Sequence, residues 1–167
     1  DLNYTYQIIK PDSEVVLTGI IDEQRSLDLI FKLQDKSRIV EFDIKLNDTN
    51  ISNNYDNVEL IWGRDSFRNS KSIDYENRYT ALAYGFEENK DSYLSIAGST
   101  NKNINNVNWI SFREHFFSSI LILNDQLNDV DISSEDLASN ETLDNKFTKR
   151  FLASVPLNLN SDNNLSF

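Results

Sequence analysis

Apolar and charged side chains alternate along Val40-Glu41-Phe42-Asp43-Ile44-Lys45-Leu46. A period of two puts Val40, Phe42, Ile44 and Leu46 on one face of an extended strand, an arrangement that a helix cannot reproduce. Short segments of similar character recur at 4–9, 14–21, 27–33, 58–62, 79–86, 93–96, 108–112, 116–123, 130–133 and 147–159. The spacers between them carry Asn, Asp, Ser and Lys, which favour turns by bonding their own backbone or tolerating left-handed conformations. No helical stripe of comparable strength competes with this pattern. The expectation is an all-β chain folded as an antiparallel sandwich, a single domain over residues 1–167.

Two polar stretches are read as connections. The run Asn101-Lys102-Asn103-Ile104-Asn105-Asn106 lies between apolar strands and reads as a solvated hairpin loop rather than a low-complexity tract. Residues 124–145, rich in carboxylates, read as a long surface excursion containing one short strand.

Composition removes whole classes of function. With 16 basic and 27 acidic residues the formal charge is −11, and no basic stripe is present to neutralise a phosphate backbone. Nucleic acid is therefore not an expected partner. Four Gly residues form no phosphate-cradling motif, and zero Cys excludes thiol chemistry and Cys-ligated zinc. No apolar run reaches the roughly 20 residues needed to span a bilayer. The absence of Met implies a piece excised from a longer protein.

Few residues suggest a reactive site. The single His, His115, is the one imidazole available as a general acid or base. A strand through Arg113-Glu114-His115-Phe116-Phe117 puts Glu114 on the opposite face, where it cannot orient the ring. Asp129-Val130-Asp131-Ile132-Ser133 resembles the opening of a calcium loop. However, the sixth and twelfth positions hold Ser134 and Asn140 where an EF-hand needs Gly and Glu. Calcium at Asp125, Asp129 and Asp131 in another geometry is the weaker reading, and no cofactor is expected. Adjacent carboxylates such as Glu87-Glu88 diverge and do not make a glycosidase pair.

The aromatics say more. Ten Phe, seven Tyr and two Trp concentrate at 75–86 and 109–117. Most are expected in the core, where aromatic rings bury large areas. Trp62, Tyr79, Trp109, Phe112, Phe116 and Phe117 are the structural or binding aromatics singled out. Tyr79, Ala81, Ala83 and Gly85 shrink along one face of the expected strand, which admits close approach by another sheet or a ligand.

The segment from Asn108-Trp109-Ile110-Ser111-Phe112 through His115-Phe116-Phe117 to Ile122 resembles the tryptophan-to-double-aromatic stretch in the large periplasmic domain of the YidC membrane protein insertases, particularly those of Bacteroidetes. Leu60-Ile61-Trp62 resembles the strand before that domain's charged loop. Glu76-Asn77-Arg78-Tyr79-Thr80-Ala81-Leu82 resembles its Glu-Asn-Arg-Tyr strand opening, and 152–159, with Pro156, resembles a strand near its end. The resemblance implies a twisted β-super-sandwich similar to galactose mutarotases, truncated here by loss of early strands. It also implies a non-catalytic domain of an inner-membrane insertase, on the periplasmic side, with SecD/SecF of the Sec translocon and nascent membrane proteins as partners. The family's insertion groove lies in membrane helices absent from this chain, so no groove residue carries over.

Two other readings share the architecture. One is a carbohydrate-binding, mutarotase-like module of a secreted protein, using Trp62 or Trp109 as a sugar platform. Its enzymatic version needs a second His that is missing. The other is an adhesion sandwich.

Overall fold

The computed structural model describes residues 3–48, 58–138, 146–157 and 164–166. It contains thirteen strands and one short helix among those residues. The strands form three antiparallel sheets, so the all-β antiparallel reading holds. The chain divides into two compact units, residues 1–58 with 157–167, and residues 59–156.

The first unit is one sheet. Strands β1 (Tyr4–Lys10), β2 (Glu14–Ile20), β3 (Arg25–Leu33), β4 (Val40–Asp48) and β13 (Asn164–Ser166) lie in that order. Register sets Ile8 opposite Val15, Val15 opposite Phe31, and Phe31 opposite Phe42. Tyr6, Leu17, Leu29 and Ile44 make the next row. Directly opposed residues share a face, so the alternation in each strand sums to one apolar face and one polar face. Phe31 and Phe42 stack at 4.8 Å, and on the polar face Lys32 bonds Asp43 at 2.7 Å. Turn chemistry closes the hairpins. Asp12 takes a positive φ of 61° between β1 and β2, and Asp22 accepts the backbone N–H groups of Gln24 and Arg25 before β3.

The second unit is a two-sheet sandwich. It comprises β5 (Val58–Phe67), α1 (Ile73–Tyr79), β6 (Ala81–Phe86), β7 (Lys90–Tyr93), β8 (Thr100–Ile104), β9 (Val107–Arg113), β10 (Ser118–Leu127), β11 (Val130–Asp136) and β12 (Phe147–Leu157). One sheet runs β10-β9-β6-β7 and the other β5-β12-β11-β8. Their inner faces meet through Trp62, Phe112 and Phe151, stacked in sequence at 4.0 and 5.4 Å between centroids. Leu82, Tyr84, Ile110, Ile132, Ala153 and Val155 complete a core that solvent does not reach. Large aromatic area buried between two sheets is what holds such a sandwich together.

A basic side chain enters that core. Lys149 lies on the same face of β12 as Phe151 and is 0% exposed. Its ammonium group pairs with Asp136, its register partner on β11, and Asp136 also accepts the Gly98 N–H at 2.9 Å. Burying an ammonium is tolerable only with such a partner.

Three sequence expectations are corrected. Residues 73–79 are helical, so the strand expected from Tyr79 begins at Ala81. Ser72 caps this helix by accepting the Tyr75 N–H, and Asp74 and Arg78 sit at the ends that suit the helix dipole. Seven residues are too few to write a helical stripe. Second, Asn101 and Asn103 belong to edge strand β8, not to a loop. Their side chains face solvent, so no apolar alternation marks the strand. Third, the segment after residue 124 is not a surface excursion: β10 runs on to Leu127, and β11 sits inside its sheet with Val130, Ile132 and Ser134 buried. The remainder of that segment, 139–145, lies outside the described residues, as do Asn140 of the calcium reading and the end of the last expected strand, 158–159.

Candidate functional site

The aromatics singled out in the sequence fall into three groups. Trp62 and Phe112 are structural, stacked on one another with rings inclined by 16°. Trp109 lies on the opposite, outer face of its sheet, where it is half-buried. Its register partner is Gly85, and a Cβ built on Gly85 would overlap the indole ring. Gly85, the smallest residue of β6, therefore accommodates an indole from the neighbouring strand of its own sheet. Beside Trp109 stand Ile122, and one rung away Ile120, both about half exposed.

Tyr79, Phe116 and Phe117 form the third group. Helix α1 places Tyr75 and Tyr79 one turn apart, so their rings meet at 5.2 Å on one side of the helix. The hydrogen bond between these two hydroxyls raises the Tyr75 pKa above the ordinary phenol value. The β9–β10 hairpin turns at His115 and Phe116, closed by a 2.8 Å bond from the Glu114 N–H to the Phe117 carbonyl. The imidazole packs against Tyr79 at 4.8 Å, Tyr75 at 5.3 Å and Phe116 at 4.2 Å. Helix and hairpin thus build an aromatic knuckle whose outermost rings, Phe116 and Phe117, are 67% and 72% exposed.

Two buried carboxylates fix this knuckle from behind. Glu114 accepts the Phe67 N–H and pairs with Arg64 at 2.7 Å. Glu76, on the inner side of α1, accepts the N–H groups of Asn69 at 3.0 Å and Ser70 at 2.7 Å. Arg68 donates to the Ser70 and Lys71 carbonyls of the same loop. The carboxylates are spent on backbone donors and a guanidinium, an anchoring role that the sequence reading did not assign to either. Glu114 sits between two residues that attract more notice, and Glu76 could be read only as part of a strand opening.

Among the described residues, no acid–base pair or cation site gathers elsewhere. Among the described residues, no group of three His, Asp or Glu side chains is placed to hold a metal ion. Asp131 is in β11, where it accepts the Asn103 amide at 3.0 Å, and Asp129 sits in the preceding turn with φ 56°. His115 packs against three rings, and among the described residues no carboxylate orients it. Among the described residues, no helix is long and apolar enough to cross a membrane.

No family model matches the chain, and no solved structure matches it. Curated proteins do. The whole chain aligns with a membrane protein insertase YidC of Parabacteroides distasonis at 27% identity over 174 residues, covering 27% of that protein. YidC of Bacteroides fragilis matches 71% of the chain at 27% identity, covering 20% of its own length. YidC of Porphyromonas gingivalis matches 71% at 26% identity, again covering 20% of its length. The chain thus spans about a quarter or less of the relatives it matches, and the resemblance read at the tryptophan-to-double-aromatic segment is borne out: this chain is similar to one stretch of the Bacteroidetes YidC membrane protein insertases.

Proposed function

We propose that the chain is a non-catalytic, extramembrane domain of a YidC-type insertase, facing the periplasm and offering sheet surfaces to polypeptides during membrane-protein insertion. The observation that carries this reading is the colinear similarity of the whole chain to the Parabacteroides insertase. The architecture supports it in two ways. The outer face bearing Trp109, Ile120 and Ile122 is apolar and open, and among the described residues the edge strands β7 and β10 have one side without a sheet neighbour. Extended polypeptide can add to such an edge, with side chains lying on the apolar face.

The partners in this reading are nascent membrane proteins and the SecD/SecF components of the Sec translocon. The sugar-binding reading loses half of its support in the structure, because Trp62 is stacked on Phe112 rather than offered to a ligand.

A photo-cross-linking amino acid at Ile120 or Ile122 of the full-length protein, in growing cells, tests the proposal. Adducts with nascent membrane proteins or SecD/SecF are expected. Labelling confined to the protein itself, at both positions, removes the partner role.

A further inference from the structure

The aromatic knuckle has a composition unlike the rest of the chain. At its apex are two Phe side chains, and behind them two Tyr rings and one imidazole. That order, apolar outermost and amphipathic just behind, follows the change in polarity from acyl chain to headgroup. The charges nearby are arranged in the same sense. Arg78 on α1 and Arg113 at the base of the hairpin are exposed, as is Lys71 in the loop before α1. Glu76 and Glu114 point inward and are bound to backbone donors or to Arg64. Asp74, on the first turn of α1, is the exposed carboxylate of this helix. In a chain of net charge −11, the segments that build the knuckle expose three basic side chains, Lys71, Arg78 and Arg113, against one carboxylate, Asp74, while Asp136, which lies near Arg78, is paired with Lys149.

We infer that this knuckle is an interfacial anchor: Phe116 and Phe117 enter the headgroup–acyl boundary of a lipid bilayer, Tyr75 and Tyr79 lie at headgroup level, and Arg78 and Arg113 face lipid phosphates. The inference rests on the reading of the chain as part of a membrane-anchored protein, which supplies the proximity that two Phe side chains cannot. A pair of inserted rings without tethering gives weak, reversible binding, as single lipid anchors do. With tethering, the same contact sets the orientation of the sandwich to the membrane. The mechanism is burial of aromatic area together with short-range attraction to phosphates, and the net negative charge of the chain is screened beyond about 10 Å at moderate salt.

The chain has no Cys, so one introduced thiol carries a unique label. The chain is held through a terminal histidine tag on phosphatidylcholine vesicles containing phosphatidylglycerol and nickel-chelating lipid. An environment-sensitive fluorophore is placed on Ser118→Cys, beside the knuckle, or on Tyr93→Cys in β7. The expected result is blue-shifted emission at position 118, quenched by spin-labelled acyl chains, with position 93 remaining aqueous. Adding Phe116→Ser and Phe117→Ser should cut the quenching at position 118 about tenfold or more, as expected for losing two buried rings. Circular dichroism confirms the fold of each variant.

An aqueous spectrum at position 118 on tethered chain overturns the inference, as does quenching that survives loss of both Phe residues. A blue shift produced by an extended apolar peptide without lipid, and absent with vesicles, reassigns the knuckle to polypeptide. None of these outcomes bears on the cross-linking at Ile120 and Ile122, so the anchor can fail while the insertase reading stands.

Discussion

The indole of Trp109 occupies the space that Gly85 leaves by lacking a side chain, across the β6–β9 register pair. Backbone freedom is not what glycine supplies at this position, because its φ is not positive. It supplies room. Gly85→Ala should destabilise the sandwich by about 1–3 kcal/mol through overpacking. Trp109→Leu removes the obstacle, so the double variant should recover part of the loss, with a coupling of about 0.5–3 kcal/mol. Urea unfolding of the four proteins measures it, and strict additivity of the two changes would contradict the packing account.

Phe112 and Phe117 are a few residues apart and differ in kind. Phe112 is fully buried between Trp62 and Phe151, while Phe117 lies mostly in solvent. Phe112→Ala should cost about 3–5 kcal/mol, the usual range for a buried aromatic truncated in a packed core. Phe117→Ala should stay within about 0.5 kcal/mol. Both Trp residues lie in the 59–156 unit, so their fluorescence follows the unfolding of that unit alone. Comparable midpoints for the two variants would place Phe112 wrongly.

Lys149 and Asp136 carry unequal risk although they form one pair. Asp136 is about a quarter exposed and keeps the Gly98 N–H, whereas Lys149 is sealed in the core. Asp136→Asn leaves a buried ammonium without its counter-ion and should cost about 3 kcal/mol. Lys149→Met replaces the charge with an apolar chain of similar length and should cost less. Thermal or urea unfolding of both variants gives the order, and a larger loss for Lys149→Met would show the pair to be net stabilising.

The acid limb of stability has an identifiable contributor. Asp65 on β5 accepts two hydrogen bonds from the Arg150 guanidinium on β12, which lowers its carboxyl pKa below the ordinary value. A carboxylate with a depressed folded pKa adds stability that is present above its unfolded pKa, about 3.9, and lost as pH falls through the lower folded value. Asp65→Asn should therefore flatten the decline in stability below about pH 4 while slightly lowering stability near neutrality. Urea titrations across that range test it. An unchanged acid limb would mean that the pair is screened to insignificance.

How far the sequence could be read depended on the range of the information. Alternation at 40–46 is local, and β4 is found there with Ile44 buried. Helix α1 eluded the reading because a seven-residue helix is announced by a cap and two end charges rather than by a stripe. Lys149 in the core could not be foreseen, because its partner is thirteen residues away and meets it only through the β11–β12 register. Trp62 and Phe112 stack inside whereas Phe116 and Phe117 project outside, although all four are aromatic and lie in strand-like sequence. Residue type carries no information on which side of a hairpin's last rung a ring falls. Glu76 and Glu114 were hidden for a related reason, since both accept backbone N–H groups that any residue would supply, and the Arg64 that pairs with Glu114 lies fifty residues away in sequence.

Asn105 and Asn128 join two turns that the sequence shows only as polar punctuation. Asn128 Oδ1 accepts the Asn106 N–H at 3.0 Å, and Asn105 Oδ1 accepts the Asp129 N–H at 3.0 Å. Each turn thus caps the other, and both contain a residue at positive φ, Asn106 at 55° and Asp129 at 56°. One hydrogen bond of this kind is worth about 0.5–1.5 kcal/mol net. Asn105→Ala and Asn128→Ala should each cost about that much. Because either loss frees the facing turn, the second substitution should cost less than the first, a coupling that double-mutant analysis resolves. Amide exchange gives an independent reading. The Asp129 N–H should lose protection in Asn105→Ala, and the Asn106 N–H in Asn128→Ala. Protection unchanged at both amides would mean that the turns hold without their reciprocal side chains, through backbone conformation alone.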